Sequence, residues 1–264
     1  MKRDYYIIFV VLVYRNISDL RDYFSHNKVT CSHTIVVNSF YDDDTEKEFK
    51  ELSMANDADF ITVPNYGYGA GNNAGVKYAL EHFNFNYLII SNADILIQHF
   101  NPSDLNKYRG CIIAPKIINL SGKMQNPCSP FRPSKLESYL NYITYRNNHT
   151  KLIWLLFAFS RLKKIIFHLI YPLKKNIFSA HGAFVIFPVE VIKKMVPLYN
   201  EKMFLFKEEA HVGMLAKQKG IITVYAPDIV IKHKEDGSMK VASINVFNME
   251  RQSYMEYYNN WFKR

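Results

Sequence analysis

Over the first 120 residues, short apolar runs alternate with amphipathic stretches. Tyr5–Val13, Thr34–Val37, Asp59–Pro64, Tyr87–Ile90 and Cys111–Pro115 are rich in β-branched and aromatic residues and read as strands. Ser18–Phe24, Glu46–Asn56 and Val76–Phe83 carry a helical spacing of apolar positions between them. Strands that are apolar without interruption suit a parallel sheet covered on both faces, and alternation with short connections predicts a doubly wound α/β fold. The pattern breaks from about Pro127 to Lys175, where prolines, tyrosines and basic residues cluster. It resumes with a strand at Phe184–Pro188, a helix from Glu190 and a helix over Glu208–Lys219 ended by Gly220. Two closing strands, Ile221–Tyr225 and Ile229–Lys232, and an aromatic-rich helical tail over Asn248–Arg264 complete the reading. Met1-Lys2-Arg3 followed by an apolar run imitates a signal peptide, but the run passes into Tyr14-Arg15-Asn16 without a small-residue cleavage site, which favours a buried first strand.

A chain of 264 residues suffices for one α/β domain with an insertion. We divide it into a first half (1–126), a helical insertion (127–178), a second half (179–247) and a C-terminal helix (248–264). Hydrophobic residues make up 48% and charged residues 22%, which excludes wholesale disorder. The net charge of +9 favours anionic partners. The basic residues lie beside aliphatic runs rather than along a polar groove, which argues against nucleic acid. Cys31, Cys111 and Cys128 have no metal-type spacing, and so sparse and odd a set points to reduced thiols in a cytoplasmic protein.

The chemistry concentrates between Asn65 and Ile97. A Gly/Asn-rich loop (Asn65-x-Gly67-x-Gly69-Ala70-Gly71-x-Asn73-x-Gly75) leads into a helix, the buried strand Tyr87–Ile90 and the polar turn Ser91-Asn92-Ala93-Asp94. Open α/β sheets bind ligands beyond the carboxyl ends of their strands. Asp94 therefore stands where a metal-diphosphate would sit, and its hard oxygens suit Mg²⁺ or Mn²⁺. The glycines permit close backbone approach to a nucleotide, or simply form a turn into the helix.

These two segments together resemble the family 2 glycosyltransferases, most of all the rhamnosyltransferase-type enzymes of bacterial surface polysaccharide (capsule or O-antigen) synthesis. The resemblance covers the first hundred residues and roughly Ser179–Ser238. It implies a GT-A fold, a Rossmann-like mostly parallel sheet flanked by helices, and a divalent cation (Mn²⁺ or Mg²⁺) on a nucleotide-diphosphate sugar donor. By that resemblance Tyr14, Asn38, Asp43, Asn65, Gly67, Gly71, Asn73, Asn92 and Asp94 bind the nucleotide sugar. Asp94 holds the metal, and His233 of Ile231–Ser238 completes its shell or meets the diphosphate. Phe204-Leu205-Phe206-Lys207-Glu208-Glu209 matches the segment whose second acid is the catalytic base, so Glu209 is the expected base and Glu208 its alternate. Ser179-Ala180-His181-Gly182-Ala183-Phe184 matches the acceptor-side loop, with His181 and Gly182 against the acceptor. Asn38 stands for an acid, Asn92 leaves one carboxylate in the metal turn, His211 replaces a further acid, and an extra residue separates His233 from Gly237. Asp42 and Asp44 read as acids at a helix start, as Asp43 does in the alternative reading.

The insertion matches no motif. Leu152–Phe159 is too short to span a bilayer and is followed by Arg161, Lys163 and Lys164. On a helix, Ser160, Arg161, Lys164 and His168 fall along one stripe among bulky apolar residues. This suits an interfacial helix on anionic lipid, or a helix packed on the sheet or in a dimer interface. The whole reads as a metal-dependent inverting glycosyltransferase acting on a glycan acceptor carried by a polyprenyl lipid, peripheral on the inner face of the membrane. The alternatives are a nucleotide-sugar-binding homologue without activity and, less well matched, a nucleotidyltransferase.

Overall fold

A computed structural model describes residues 2–147, 150–171, 175–235 and 246–263. Its core is one nine-stranded sheet. The principal elements in chain order are β1 (Ile7–Val13), α1 (Ile17–His26), β2 (Ser32–Ser39), α2 (Asp43–Ala55), β3 (Asp59–Val63), α3 (Tyr68–His82), β4 (Tyr87–Asn92), β5 (Ile95–His99) and β6 (Ile112–Asn119). They continue with α4 (Lys135–Arg146), α5 (Thr150–Ile170), β7 (Phe184–Pro188), α6 (Val189–Met195), α7 (Glu208–Gln218), β8 (Thr223–His233) and α8 (Val246–Trp261). The strand order is β3-β2-β1-β4-β7-β6-β8-β5, with the short strand Asn176–Ile177 also on β8. The pairs β3/β2, β2/β1, β1/β4 and β6/β8 are parallel. β7 runs antiparallel to both its neighbours, and β5 runs antiparallel to β8.

The continuous apolar runs have the expected cause. In β1, Ile8 and Val10 pack on one face of the sheet with Val37, Val76 and Ile90. Ile7, Phe9 and Val11 pack on the other with Leu20, Phe49 and Ile89. A strand with both faces covered has no polar side to show. A third cluster, built on Tyr145, Met203, Met214, Tyr254 and Tyr257, joins α4, α7 and α8 beside the sheet.

Three local expectations change. The Gly/Asn-rich stretch is not a loop: α3 begins at Tyr68, directly after Gly67, and contains Gly69, Gly71 and Gly75. The glycines permit contact rather than a turn. A Cβ on Gly71 would lie 2.4 Å from Leu12 Cδ1, and one on Gly75 2.3 Å from Val10 Cγ1. The helix therefore rests on β1 at backbone distance. The two closing strands are a single strand, β8, whose register slips between Ala226 and Val230. The edge strand β5 was not foreseen, because Gln98 and His99 interrupt its apolar character and, among the described residues, it pairs with β8 at the far edge of the sheet rather than with its chain neighbour β4. The insertion supplies α4 and α5, the former opened by a capping box between Ser134 and Glu137.

Candidate active site

At the carboxyl ends of β1 and β4 lies a cleft of about 890 Å³. Its floor is the Asn92-Ala93-Asp94 turn between β4 and β5, and its walls include Tyr14, Arg15, Asn65, Gly67, Tyr68 and the His181–Ala183 segment. Short antiparallel β7 brings this last segment to the floor: the Asn92 amide donates to the Ala183 carbonyl at 2.9 Å.

Asp94 is buried, and its Oδ1 lies 3.2 Å from His233 Nε2 at the end of β8. The Lys234 amide donates to the Asp94 carbonyl at 2.9 Å, so two strand ends are tied together at this point. His233 Nδ1 sits 2.8 Å from Gln125 Oε1. A carbonyl-type oxygen only accepts, which puts the Nδ1 proton toward Gln125 and turns Nε2 toward Asp94. The His181 ring meets the His233 ring edge-on at 5.7 Å. Burial pushes the His181 imidazole below its usual pKa.

The opposite wall is the start of α7. Phe206 (φ 75°) and Lys207 (φ 69°) are both left-handed, an uncommon conformation for residues with side chains. They turn the chain so that Glu208 and Glu209 occupy the first helical turn, where the helix dipole favours carboxylates. Glu209 Oε1 accepts from the Gly182 amide at 3.4 Å. Glu208 is buried, and burial followed by the neighbouring Glu209 charge raises its pKa to about 8. At neutral pH Glu208 therefore keeps its proton. The bend is braced from behind: Lys207 Nζ donates to Glu250 Oε1 at 2.9 Å, and Ser253 Oγ donates to the Leu205 carbonyl at 2.7 Å. It is latched to α3 by the Tyr68 amide, which donates to the Phe204 carbonyl at 2.8 Å. Gly67 (φ 100°) is obligatory there, since a Cβ would fall 2.1 Å from that same oxygen.

The expected site residues thus divide into two groups. Tyr14, Asn65, Gly67, Asn92, Asp94, His181, Gly182, Glu208, Glu209 and His233 line one cleft. Asn38, Asp43, Gly71 and Asn73 do not. Asn73 is buried within α3, where it donates to the Tyr199 carbonyl at 2.9 Å and accepts from the Tyr199 amide at 3.0 Å. Gly71 faces Leu12. Asn38 is buried between strands with its amide 3.4 Å from Thr62 Oγ1. Asp43 is exposed in the first turn of α2, which Asp42 caps through the Thr45 amide at 2.8 Å. His211 is buried beneath α8, where Trp261 Nε1 donates to its Nδ1 at 3.1 Å. Asp236, Gly237 and Ser238 lie outside the described residues.

Sequence reading missed Arg15, Asp19, Gln125 and Glu235, which also line the cleft. Asp19 offered a weak signal as an acid in the first turn of α1, the helix that follows β1; Gln125 offered none. Lys234 Nζ bridges Asp19 at 3.1 Å and Asp22 at 2.8 Å. Five carboxyl groups (Asp19, Asp94, Glu208, Glu209, Glu235) therefore face the cleft, against Arg15 as the permanent cation among its lining residues. A diphosphate entering such a site needs added positive charge. Asp94 and His233 offer an oxygen and a nitrogen donor on adjacent strand ends, and the hydrogen bond from His233 to Gln125 orients the ring as metal-bound imidazoles are usually oriented. The donor set fits a divalent cation whose remaining positions are filled by phosphate and water. Among the described residues no group of three or more His, Cys, Asp or Glu converges on one point in a metal-holding arrangement.

No protein-family model matches the chain. In sequence it resembles the low-salt glycan biosynthesis hexosyltransferase Agl10 of Haloferax volcanii, at 25% identity over 118 residues. That match covers 43% of this chain and 37% of the relative's length. In structure it is similar to GalNAc-T7, solved with UDP, GalNAc and Mn²⁺, with a TM-score of 0.56 at 12% identity over 89% of this chain and 44% of that one. It is also similar to S. aureus TarS, with a TM-score of 0.55 at 13% identity over 87% of this chain and 36% of that one. The TarS fragment 1–349 gives a TM-score of 0.53 at 12% identity and covers 98% of this chain and 73% of the fragment. The mixed sheet, its flanking helices and these likenesses together establish that the chain has the GT-A fold of glycosyltransferases.

Proposed function

We propose that the protein is an inverting glycosyltransferase that moves one sugar from a nucleotide diphosphate to a hydroxyl of a lipid-linked glycan. The observation that carries this reading is the convergence in one cleft of the Asp94–His233 pair, the Glu208–Glu209 helix start and the Gly67–Tyr68 corner. Asp94 and His233 would hold a divalent cation, which when bound would supply positive charge to offset a diphosphate leaving group. Tyr14, Arg15 and Asn65 border the space for the nucleotide. Glu209 takes the proton of the acceptor hydroxyl as its oxygen bonds to the anomeric carbon and the nucleotide diphosphate leaves. Glu208, protonated at neutral pH, does not compete for that proton and adds no second negative charge beside the base. His181 and Gly182 border the acceptor. The whole chain acts as one domain in glycan assembly on the cytoplasmic side, in keeping with three unpaired cysteines.

The test is a panel of UDP-, GDP- and dTDP-sugars scored by thermal shift and nucleotide release with Mn²⁺, Mg²⁺ or EDTA. One donor that stabilises the protein and turns over only with metal, with turnover lost in Asp94→Ala and Glu209→Gln, supports the reading and narrows the sugar. Binding with no turnover in the presence of a range of acceptors favours the inactive homologue. If no nucleotide sugar binds, the reading is wrong.

A further inference from the structure

None of the described residues of segment 127–178 lines the cleft just described, yet the segment holds nearly all of the chain's net charge. It contains nine Lys and Arg against one acid, Glu137, a balance of +8 within a total of +9. In the fold this segment forms α4 and α5, and α5 is anchored along one side. Phe167 is fully buried against Phe131 and Tyr225, with ring centroids 6.4 and 6.0 Å away. Lys163 Nζ donates to Glu137 Oε1 on α4 at 2.6 Å, so the one acid of the segment is already neutralised.

This anchoring turns the other side of α5 outward. Leu152, Leu155, Phe159, Leu162, Ile166 and Leu169 are all exposed, Leu155 by 65% and Leu169 by 78%. Their spacing of three and four residues draws one stripe about 25 Å long down the helix. Ile165 widens it, and Leu136 and Leu140 of α4 are exposed as well. So long an unpartnered apolar stripe is unusual on a soluble surface. Arg161 and His168, both exposed, border it on one side. Among the described residues no helix is long and apolar enough to cross a membrane, so a lipid surface would be met from outside.

We propose that the exposed face of α5, with the adjoining end of α4, docks in the plane of an anionic phospholipid bilayer. The leucines and phenylalanine enter the headgroup boundary, and the flanking cations meet lipid phosphates. Charge decides this occupant over a second copy of the chain. Pairing two such faces would bring together two segments of +8 with no free acid to offset them. An anionic surface complements the same charge. The proposal stands on this face alone and needs neither donor nor acceptor, so its failure would leave glycosyl transfer untouched.

The experiment is co-sedimentation of the full chain with vesicles of phosphatidylcholine alone or with 30 mol% phosphatidylglycerol, at low and high salt. At low salt, at least about tenfold tighter partitioning to the anionic vesicles is expected, weakened by salt. Leu155→Glu/Leu162→Glu/Leu169→Glu should lose that binding by at least about tenfold while keeping the wild-type circular dichroism spectrum. Leu155→Ser/Leu169→Ser provides a milder variant should the triple one misfold. Absence of binding to either vesicle, equal binding to both, or full binding by the folded variants would overturn the proposal. A dimer seen by sedimentation velocity and dispersed by the same substitutions, without vesicle binding, would overturn it in favour of self-association.

Discussion

Glu208 and Glu209 differ by one position, and environment alone separates the roles proposed for them. Glu209 faces Gly182 and the cleft, whereas Glu208 is buried with its pKa raised to about 8. Replacing Glu209 by Gln should lower the rate of transfer by about 10²–10⁴-fold, with donor affinity little changed. Initial rates together with calorimetric donor binding check this. Glu208 also links stability to pH. The unfolded group titrates near the model-peptide value of 4.5 and the folded one at about 8. Between these values the native state keeps a proton that the unfolded state releases, so this group lowers stability as pH rises from about 5 to 8. Glu208→Gln should flatten that decline, which urea midpoints at pH 5, 6.5 and 8 would show. His211 acts in the opposite direction: burial lowers its pKa to about 4, so its contribution to stability is lost as the medium is acidified below about 6.5. The family-like positions Asn38 and Asn73 show why residue identity is not enough. Asn73 sits at the expected distance from the glycines but spends both ends of its amide on Tyr199.

Among the elements, α3 and α8 determine how well the cleft is formed. α3 lies on β1 only because Gly71 and Gly75 carry no side chain. Gly71→Ala or Gly75→Ala should cost about 1–3 kcal/mol through overpacking. Gly67→Ala should cost more than either, because it adds left-handed strain to the clash with Phe204. Chemical denaturation of the three variants tests that ranking. α8 holds the left-handed pair Phe206–Lys207 from the rear through Glu250 and Ser253. Glu250→Ala should cost about 1.5–3 kcal/mol, as expected for a hydrogen bond to a charged group. It should also reduce turnover more than donor binding, since the acid it positions is the proposed base for the acceptor hydroxyl. Separate kcat and KM values decide that point.

On the scale of the whole molecule, an acid-rich cleft opens on one part of the sheet and a basic, apolar helix pair lies elsewhere on the surface. The net charge of +9 therefore describes the helix pair and not the cleft. Loading the cleft should stabilise the entire domain: at a hundred times the dissociation constant, ligand adds about 2.7 kcal/mol. For a chain of this size that raises the thermal midpoint by about 5–10 °C. We expect the rise to need nucleotide sugar and Mn²⁺ together and to disappear in Asp94→Ala, as differential scanning fluorimetry would read. The sequence by itself determined the α/β alternation, the buried parallel strands, the turn holding Asp94 and the acidic pair at Glu208. Each is written in local periodicity or in residue types with few other uses. Tertiary structure alone decided that the Asn65–Gly75 stretch starts a helix, because backbone contact with Leu12 and Val10 outweighs the poor helix propensity of glycine. It also decided that Asn38, Asp43 and Asn73 stand away from the cleft and that Gln125 and Asp19 face it. Side-chain direction at a strand end depends on neighbours distant in sequence, and no local pattern records them.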